Sequence, residues 1–347
     1  MSKVPVYIPE EGDDEIVELS LELPRVVKRK VEALFLSLEY DSWEAWLSSV
    51  SDEVLAHIDN EVMISLATAS KLVPEWTRNI SENIPLVKAG KGLLELKGMY
   101  GGKRIVCIGG GPSIYRKDHL EVIARTEDLV TVVCDKLLRK CVAAGIRPDV
   151  VAALDSSELT YAFYDGIDLK GLKVAVSAAS HPPLVRKLVD GGADVYFYIP
   201  FMPEQFLPNI TNIYFMLCGG KAPIIDPIGS VGGLCWALGV ILGARKIGLV
   251  GLDEAYYKDT RIDETIYFQT LFDQYGGDMA KVEQCYTRFT HKCYGDDYVT
   301  DVVLLGYARA LVKAIDRSDV PTYNATEGGI LCGGKLRCTT LERFLSV

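Results

Sequence analysis

The residues best equipped for chemistry fall in short polar runs that directly follow apolar ones. The first such run is Ile108-Gly109-Gly110-Gly111-Pro112-Ser113. Its glycines permit a tight turn and a close approach of the backbone to a ligand. Ser113 is placed to cap a following helix, whose free amides and positive dipole end favour a phosphate. The run is neither G-x-G-x-x-G nor a Walker A loop, because no Lys-Ser/Thr pair follows the glycines. A ligand-free strand-to-helix turn is the alternative, but glycine gives up chain entropy on ordering and is an expensive choice for a mere connection.

Carboxylates recur in the equivalent places. Asp135 ends one apolar run, and Leu154-Asp155-Ser156-Ser157 ends the next. Such acids can hold ribose hydroxyls, position a reacting hydroxyl or ligate Mg²⁺; they can equally cap the next helix. Gly251-Leu252-Asp253-Glu254 offers two adjacent carboxylates suited to general-base or orienting work. Gly229 and Ser230, in Asp226-Pro227-Ile228-Gly229-Ser230-Val231-Gly232-Gly233, open a helix whose amides suit a nucleotide phosphate or base, while Gly232 and Gly233 equally suit tight helix-on-sheet packing. Thr300 is placed to cap a helix with apolar positions Leu304, Tyr307, Leu311 and Ile315. A last polar loop reads Asn324-Ala325-Thr326-Glu327-Gly328-Gly329-Ile330, and its match to a glycosylation sequon is read as accidental. Of the histidines, His181 is a catalytic candidate, His57 and His119 read as surface or capping residues, and His291 has no assigned role.

The elements that must position these groups are short β-rich runs at 104–108, 129–134, 150–154, 173–176, 195–199 and 247–250, most separated by amphipathic segments such as 136–144 and 183–189. Continuous apolar strands alternating with helices predict an α/β, Rossmann-like, mostly parallel sheet with helices on both faces. Ligands of such sheets bind outside the carboxyl ends of the strands, where the polar runs stand. Residues 1–98 read as a helical N-terminal region, with Val27, Val31, Leu34, Phe35 and Leu38 at helical spacing, Pro24 in a first turn and further helical patterns around Trp43, Trp46 and 61–72. Residues 99–347 read as the catalytic α/β domain.

Composition narrows the class. The 347 residues carry a net charge of -10, which opposes binding to a nucleic-acid backbone. At 49% hydrophobic and 24% charged residues, the chain has the make-up of a folded globule. Nine cysteines, none in C-x-x-C spacing, fit neither a disulfide framework nor a structural zinc motif and read as reduced, mostly buried thiols. The start, MSKVPVYIPEEGDDE, lacks signal-peptide regions, and the apolar stretch Val231 to Ala244 is too short to span a bilayer. A cytoplasmic protein without a membrane partner is expected.

From Tyr100 through Ser156, with Gly-Gly-Gly-Pro-Ser, Gly145-Ile146-Arg147-Pro148-Asp149 and Leu-Asp-Ser, the chain resembles the MptE-like domain. That domain occurs in archaeal 6-hydroxymethylpterin diphosphokinases and in the motility accessory factors (Maf), glycosyltransferases acting on flagellin. Ile228 to Asp253 and Asn324 to Gly329 match the same family in order and spacing, so the resemblance spans roughly residues 75 to 345. It implies a transferase with a nucleotide-activated donor, CMP-sugar or ATP, and a protein or small alcohol as acceptor. The diphosphokinase branch moves pyrophosphate from ATP with Mg²⁺, and resembles thiamine pyrophosphokinase, where an Asp-x-Asp pair serves the metal. Here Ala153-Leu154-Asp155 lacks the first carboxylate, leaving Asp155 as the implied metal ligand. The helical N-terminal part, with Asn79 and Asn83, is more like the Maf arrangement. The glycine loop also resembles that of bacterial sialyltransferases, which grips the phosphate of a CMP-linked sugar without metal. The leading expectation is therefore a Maf-type transferase of CMP-linked nonulosonic (sialic-like) sugars. The alternatives are an MptE-like diphosphokinase and an inert nucleotide-sugar-binding protein. The donor site implied is Gly109, Gly110, Gly111, Pro112, Ser113, Asp135, Ser156, Gly229, Ser230, Thr300, Asn324, Glu327 and Gly328, with the base drawn from Asp155, Asp253 and His181.

Overall fold

A computed structural model describes residues 4–6, 19–21, 73–201 and 210–346. Its contacts divide the chain into units 1–62 and 63–347. In the first, β1 (Val4–Val6) pairs antiparallel with β2 (Leu19–Leu21). The helical patterns expected around 27–38, Trp43, Trp46 and 61–72, and His57, lie outside the described residues.

The second unit is built on one ten-stranded sheet. Its strands are β3 (Lys91–Gly92), β4 (Arg104–Ile108), β5 (Leu129–Cys134), β6 (Val150–Ala153), β7 (Lys173–Ser177), β8 (Asp194–Pro200), β9 (Ile224–Ile225), β10 (Lys246–Val250), β14 (Thr322–Asn324) and β15 (Arg337–Cys338). The order is β15-β14-β10-β4-β5-β6-β7-β8-β3, with β9 also on β8, and every pairing is parallel. The expected Rossmann-like α/β sheet is present, and the six strand runs read from sequence each form a strand. A small antiparallel sheet adds β11 (Tyr256–Tyr257), β13 (Asp297–Asp301) and β12 (Tyr286–Thr290).

The apolar runs are continuous because both faces are covered. Ile105, Cys107, Val132, Val150, Ala152, Ile247 and Leu249 point to one face, where they meet the helices Val231–Ile241 and Val302–Asp316. Their alternates face the other way: Val106, Ile108 and Val133 pack on Ile123, Leu137 and Phe344, while Val151, Val174 and Val176 pack on Ile80, Leu184 and Leu188. Period-two alternation thus persists beneath a uniformly apolar sequence. At Gly239 a methyl group would come within 2.9 Å of Ile247 Cδ1, so that helix lies close on the sheet only because the position is bare. Gly233 is bare for a different reason than packing on the sheet: a Cβ there would meet the carbonyls of Pro227 and Ile228, in the loop leading into the helix, at 2.6 and 2.8 Å.

Strand order fixes where a ligand can enter. From β4 the chain steps outward through β5, β6, β7 and β8, then returns to lay β10 on the opposite side of β4. The direction of winding reverses between β4 and β10, and the crevice of a doubly wound sheet opens at such a switch point. The glycine elbow after β4 and Asp253 after β10 stand on its two sides. The helix Val302–Asp316, which covers this region, is capped by Asp301 and not by Thr300 as the sequence suggested. The Asp301 carboxylate accepts from the amides of Val303 and Leu304, both at 2.9 Å, and also from Tyr256 Oη at 2.9 Å. Replacing Asp301 with Ala removes the cap and strands a buried phenol. A loss of about 2–3 kcal/mol is expected in urea unfolding of Asp301→Ala, against under 1 kcal/mol for Asp301→Asn.

Candidate active site

The elbow turns where the sequence placed it, but its donors are largely spoken for. Gly109 N donates to Val250 O at 2.8 Å and Gly111 N to Gly251 O at 2.7 Å, so the loop is stitched to the continuation of β10. Ser113 does not cap a helix. Gly111 occupies the N-cap position of a four-residue 3₁₀ turn, Pro112–Tyr115, without a side-chain cap. Such a turn is too short to carry much dipole. Ser113 instead holds Asp253: its amide donates to Oδ1 at 3.2 Å and its hydroxyl to Oδ2 at 2.7 Å. A Cβ on Gly111 would lie 2.1 Å from Asp253 Oδ2, which is why this glycine is bare. Gly110 is the exposed glycine of the elbow, and a Cβ there would meet only Lys136 and Leu137 side-chain atoms at 3.9 Å. The elbow therefore offers its free side toward β5, beneath the Lys136 side chain.

Next along the carboxyl edge come the acids. Asp135 is 2% exposed; its Oδ1 accepts from Lys136 N at 2.8 Å, while Oδ2 is buried without a partner among the described residues. Burial, reinforced by the charge of Asp155, pushes this carboxyl up to about 7. Asp155 is exposed, yet the surrounding protein raises its carboxyl too, against the pull of Lys136. On the opposite side of the elbow, burial lifts Asp253 to about 7 despite its two Ser113 bonds. Glu254 rises to about 8 through burial and the charges of Asp253 and Asp301. Tyr307 stands within electrostatic reach of both Glu254 and Asp155. Its ring also fills the space that a Cβ on Gly229 would enter, at 2.8 Å. Read only as an apolar helix position, Tyr307 was missed as a site residue.

The other expected residues divide between this edge and its supports. Ser230 caps the helix Val231–Ile241, accepting from Gly233 N at 3.1 Å. Ser156 accepts from Trp76 Nε1 at 3.2 Å, and its carbonyl takes Asn79 Nδ2 at 3.2 Å, so the helical residues 73–89 brace the end of β6. Thr300 lies on β13 and donates to Glu254 O at 2.9 Å. Asn324 is fully buried; Nδ2 donates to Leu331 O at 2.8 Å and Oδ1 accepts from Thr326 N at 3.0 Å, so the side chain braces the 324–331 loop. Glu327 accepts from Leu341 N at 3.0 Å and faces His119 Nε2 at 3.3 Å. His119 is accordingly buried, at 4% exposure, and not a surface residue. Gly328 and Gly329 lie against Asp253: a Cβ on Gly329 would sit 2.2 Å from its carbonyl oxygen, and Ile330 N donates to that oxygen at 2.8 Å. His181 precedes the helix Pro182–Asp190 at the end of β7, three strands from the elbow and roughly 14 Å away at ordinary strand spacing.

Backbone strain gathers at the same edge. Ile228, Glu254 and Glu327 adopt φ of 54°, 49° and 55°, in a region that side-chain-bearing residues avoid, most of all a β-branched one. Such conformations persist where surrounding contacts impose them, and they concentrate at functional sites.

A parallel α/β sheet with its polar and strained loops collected around a switch-point crevice defines a doubly wound, Rossmann-like α/β protein. A model of one family, described as 6-hydroxymethylpterin diphosphokinase MptE-like, matches residues 77–259, and the chain belongs to that family. Among solved structures it is similar to a Maf glycosyltransferase from Magnetospirillum magneticum AMB-1, at 17% identity and a TM-score of 0.49, covering 74% of this chain and 38% of that one. The chain thus spans under two fifths of the length of that neighbour. No curated protein sequence matches it. Among the described residues, no helix is long and apolar enough to cross a membrane.

The raised carboxyls carry a pH signature. Asp135, Asp253 and Glu254 hold protons in the fold that the unfolded chain, with pKa values near 4, has already released. Their contribution to stability is present at lower pH and is lost as pH rises through the folded values. Burial lowers His119, which acts in the opposite sense below about 6.5, so the clean window lies above that. Unfolding free energy should fall between pH 6.5 and 8.5, and the buried thiols, also raised by burial, extend the fall beyond it. One carboxyl contributes at most about 1.4 kcal/mol per pH unit, and Asp253→Asn should remove roughly that share of the slope in denaturant titrations. A pH-independent stability over this window in the unmodified chain refutes the burial assignment.

Proposed function

We propose that the chain is a transferase acting on a nucleotide-activated donor, of the Maf glycosyltransferase kind and specific for a CMP-linked nonulosonic sugar. The observation that carries this reading is the pairing of the exposed Asp155 carboxyl, raised by its surroundings, with the open side of the elbow at Gly110 beside Lys136, two strands away on the same edge. In this reading the donor phosphate lies on Gly110 and Lys136, which supply an unobstructed backbone and a positive charge. Asp155 takes the proton of the acceptor hydroxyl, a task suited to a solvent-open carboxyl whose basicity its surroundings raise. Asp253 is spent on Ser113, so it holds the elbow in shape instead of touching substrate. The acceptor, a protein or a small alcohol, approaches from the Tyr307 side.

One observation favours the diphosphokinase reading as well. Asp135 carries an unpartnered buried oxygen and feels the charge of Asp155, so the neighbouring strand can furnish the carboxylate that Ala153 lacks. Together the two acids fit a Mg²⁺ ion, which would neutralise ATP phosphates. Calorimetric titration separates the readings. CMP is expected to bind without metal, and Lys136→Ala to weaken it by about tenfold, the equivalent of one lost charged contact. Asp155→Asn should leave CMP affinity within about twofold and lower transfer by at least about 100-fold. Binding of ATP only with Mg²⁺, and none of CMP, overturns the glycosyltransferase reading in favour of the second. Donor binding without turnover of CMP-sugar or ATP leaves only the inert nucleotide-sugar-binding protein.

A further inference from the structure

We infer that His291, Cys293, Cys332 and Cys338 form a binding site for one thiophilic divalent cation, with Zn²⁺ the natural occupant. The first observation is where the thiols are. Six of the nine cysteines are buried, as isolated structural thiols are expected to be. Cys293 is exposed, Cys332 and Cys338 are partly exposed, and Cys293 and Cys338 meet in one place with Cys332 nearby. A ring nitrogen of His291, Cys293 Sγ and Cys338 Sγ all lie within 4.8 Å of one another. Cys332 stands within electrostatic reach of both other thiols. Tetrahedral zinc, with Zn–S near 2.3 Å and Zn–N near 2.0 Å, separates its ligand atoms by roughly 3.3–3.8 Å, so modest side-chain rotation closes the set.

The second observation is the state of the ligands. His291 Nδ1 accepts from the amides of Cys293 and Tyr294 at 3.0 and 3.3 Å, while Nε2 faces Leu331 O at 3.2 Å. The Leu331 carbonyl fixes the Nε2–H tautomer, as an outer-shell carbonyl does for a ligating imidazole, and Nδ1 becomes the ligand atom once the two amides give way. A bound dication supplies the charge that lets such thiols deprotonate. The spacing His-x-Cys and Cys-x₅-Cys is not that of a finger or ribbon motif, so the site is assembled by the fold. It joins the turn between β12 and β13 to the end of β15. Leu331 O, facing His291, also takes Asn324 Nδ2. An ion here therefore ties the turn to the loop that rests on Asp253.

Reduced, metal-stripped full-length protein titrated with Co²⁺ should develop thiolate-to-cobalt charge transfer and the d–d bands of a tetrahedral site at one equivalent, both bleached by Zn²⁺. Cys293→Ser with Cys338→Ser should weaken binding by at least about 100-fold. In the unmodified chain, equimolar Zn²⁺ should protect all three thiols from alkylation while leaving circular dichroism unchanged, a readout that needs no variant to fold. Absence of the tetrahedral spectrum, or alkylation unaffected by Zn²⁺, overturns the site. So does a Cys293–Cys338 disulfide that forms in the presence of excess Zn²⁺.

Discussion

A single buried carboxylate holds the centre of this molecule together. Asp253 receives the amide and hydroxyl of Ser113 across the crevice between β4 and β10, at 3.2 and 2.7 Å. Burying an acid is costly unless hydrogen bonds or neutralisation offset the loss of water, and here both operate, since the group sits near neutrality at about 7. Several neighbours have the form they have because Asp253 is there. Gly111 and Gly329 are bare where a side chain would strike it, and Ile330 N closes on its carbonyl. The turn that carries it forces Glu254 into left-handed backbone, and Thr300 secures the next carbonyl. Elbow, strand end and the 324–330 loop are thus one mechanical unit.

The wider sheet explains why so many acids share an edge. In a parallel sheet every strand ends on the same side, so residues far apart in sequence converge there without any local signal of it. Asp135 and Asp155 follow adjacent strands, and Asp253 and Glu254 follow the strand beyond the elbow. Burial raises each carboxyl, and for Asp135 and Glu254 the charge of a neighbouring acid adds to it, since ionising one opposes ionising the next. Lys136, whose Cδ lies 3.9 Å from where a Cβ on Gly110 would stand, sets a positive charge among these acids and opposes the rise of both Asp135 and Asp155.

Legibility in the sequence follows the range of each interaction. The strands were plain because apolar continuity is local, and β4, β5, β6, β7, β8 and β10 end within one or two residues of where composition placed them. Ser230 was correctly placed at a helix start for the same reason. Capping at Thr300 failed by one residue, because Asp301 has the shorter reach to two amides and pattern alone does not rank neighbours. Ser113 failed differently: its partner lies 140 residues away, and no periodicity reports a cross-crevice hydrogen bond. The approach of Cys293 to Cys338 is hidden on the same grounds, since each stands alone in sequence and they come together only after β14 and β15 join the sheet beside the β12–β13 turn.

The contrast between Asp253 and Asp155 bears on which acid does chemistry. Both are raised by their surroundings, yet Asp253 is 1% exposed and Asp155 is open to solvent. A base must reach the proton it removes, so geometry ranks before acidity. Asp253 would have to break two hydrogen bonds and open the elbow before touching a substrate. Asp155 needs no rearrangement: Trp76 and Asn79 already hold Ser156, the residue beside it, from below. The side chain that the fold leaves free is the one that can act, and the one that it binds tightly keeps the crevice in shape.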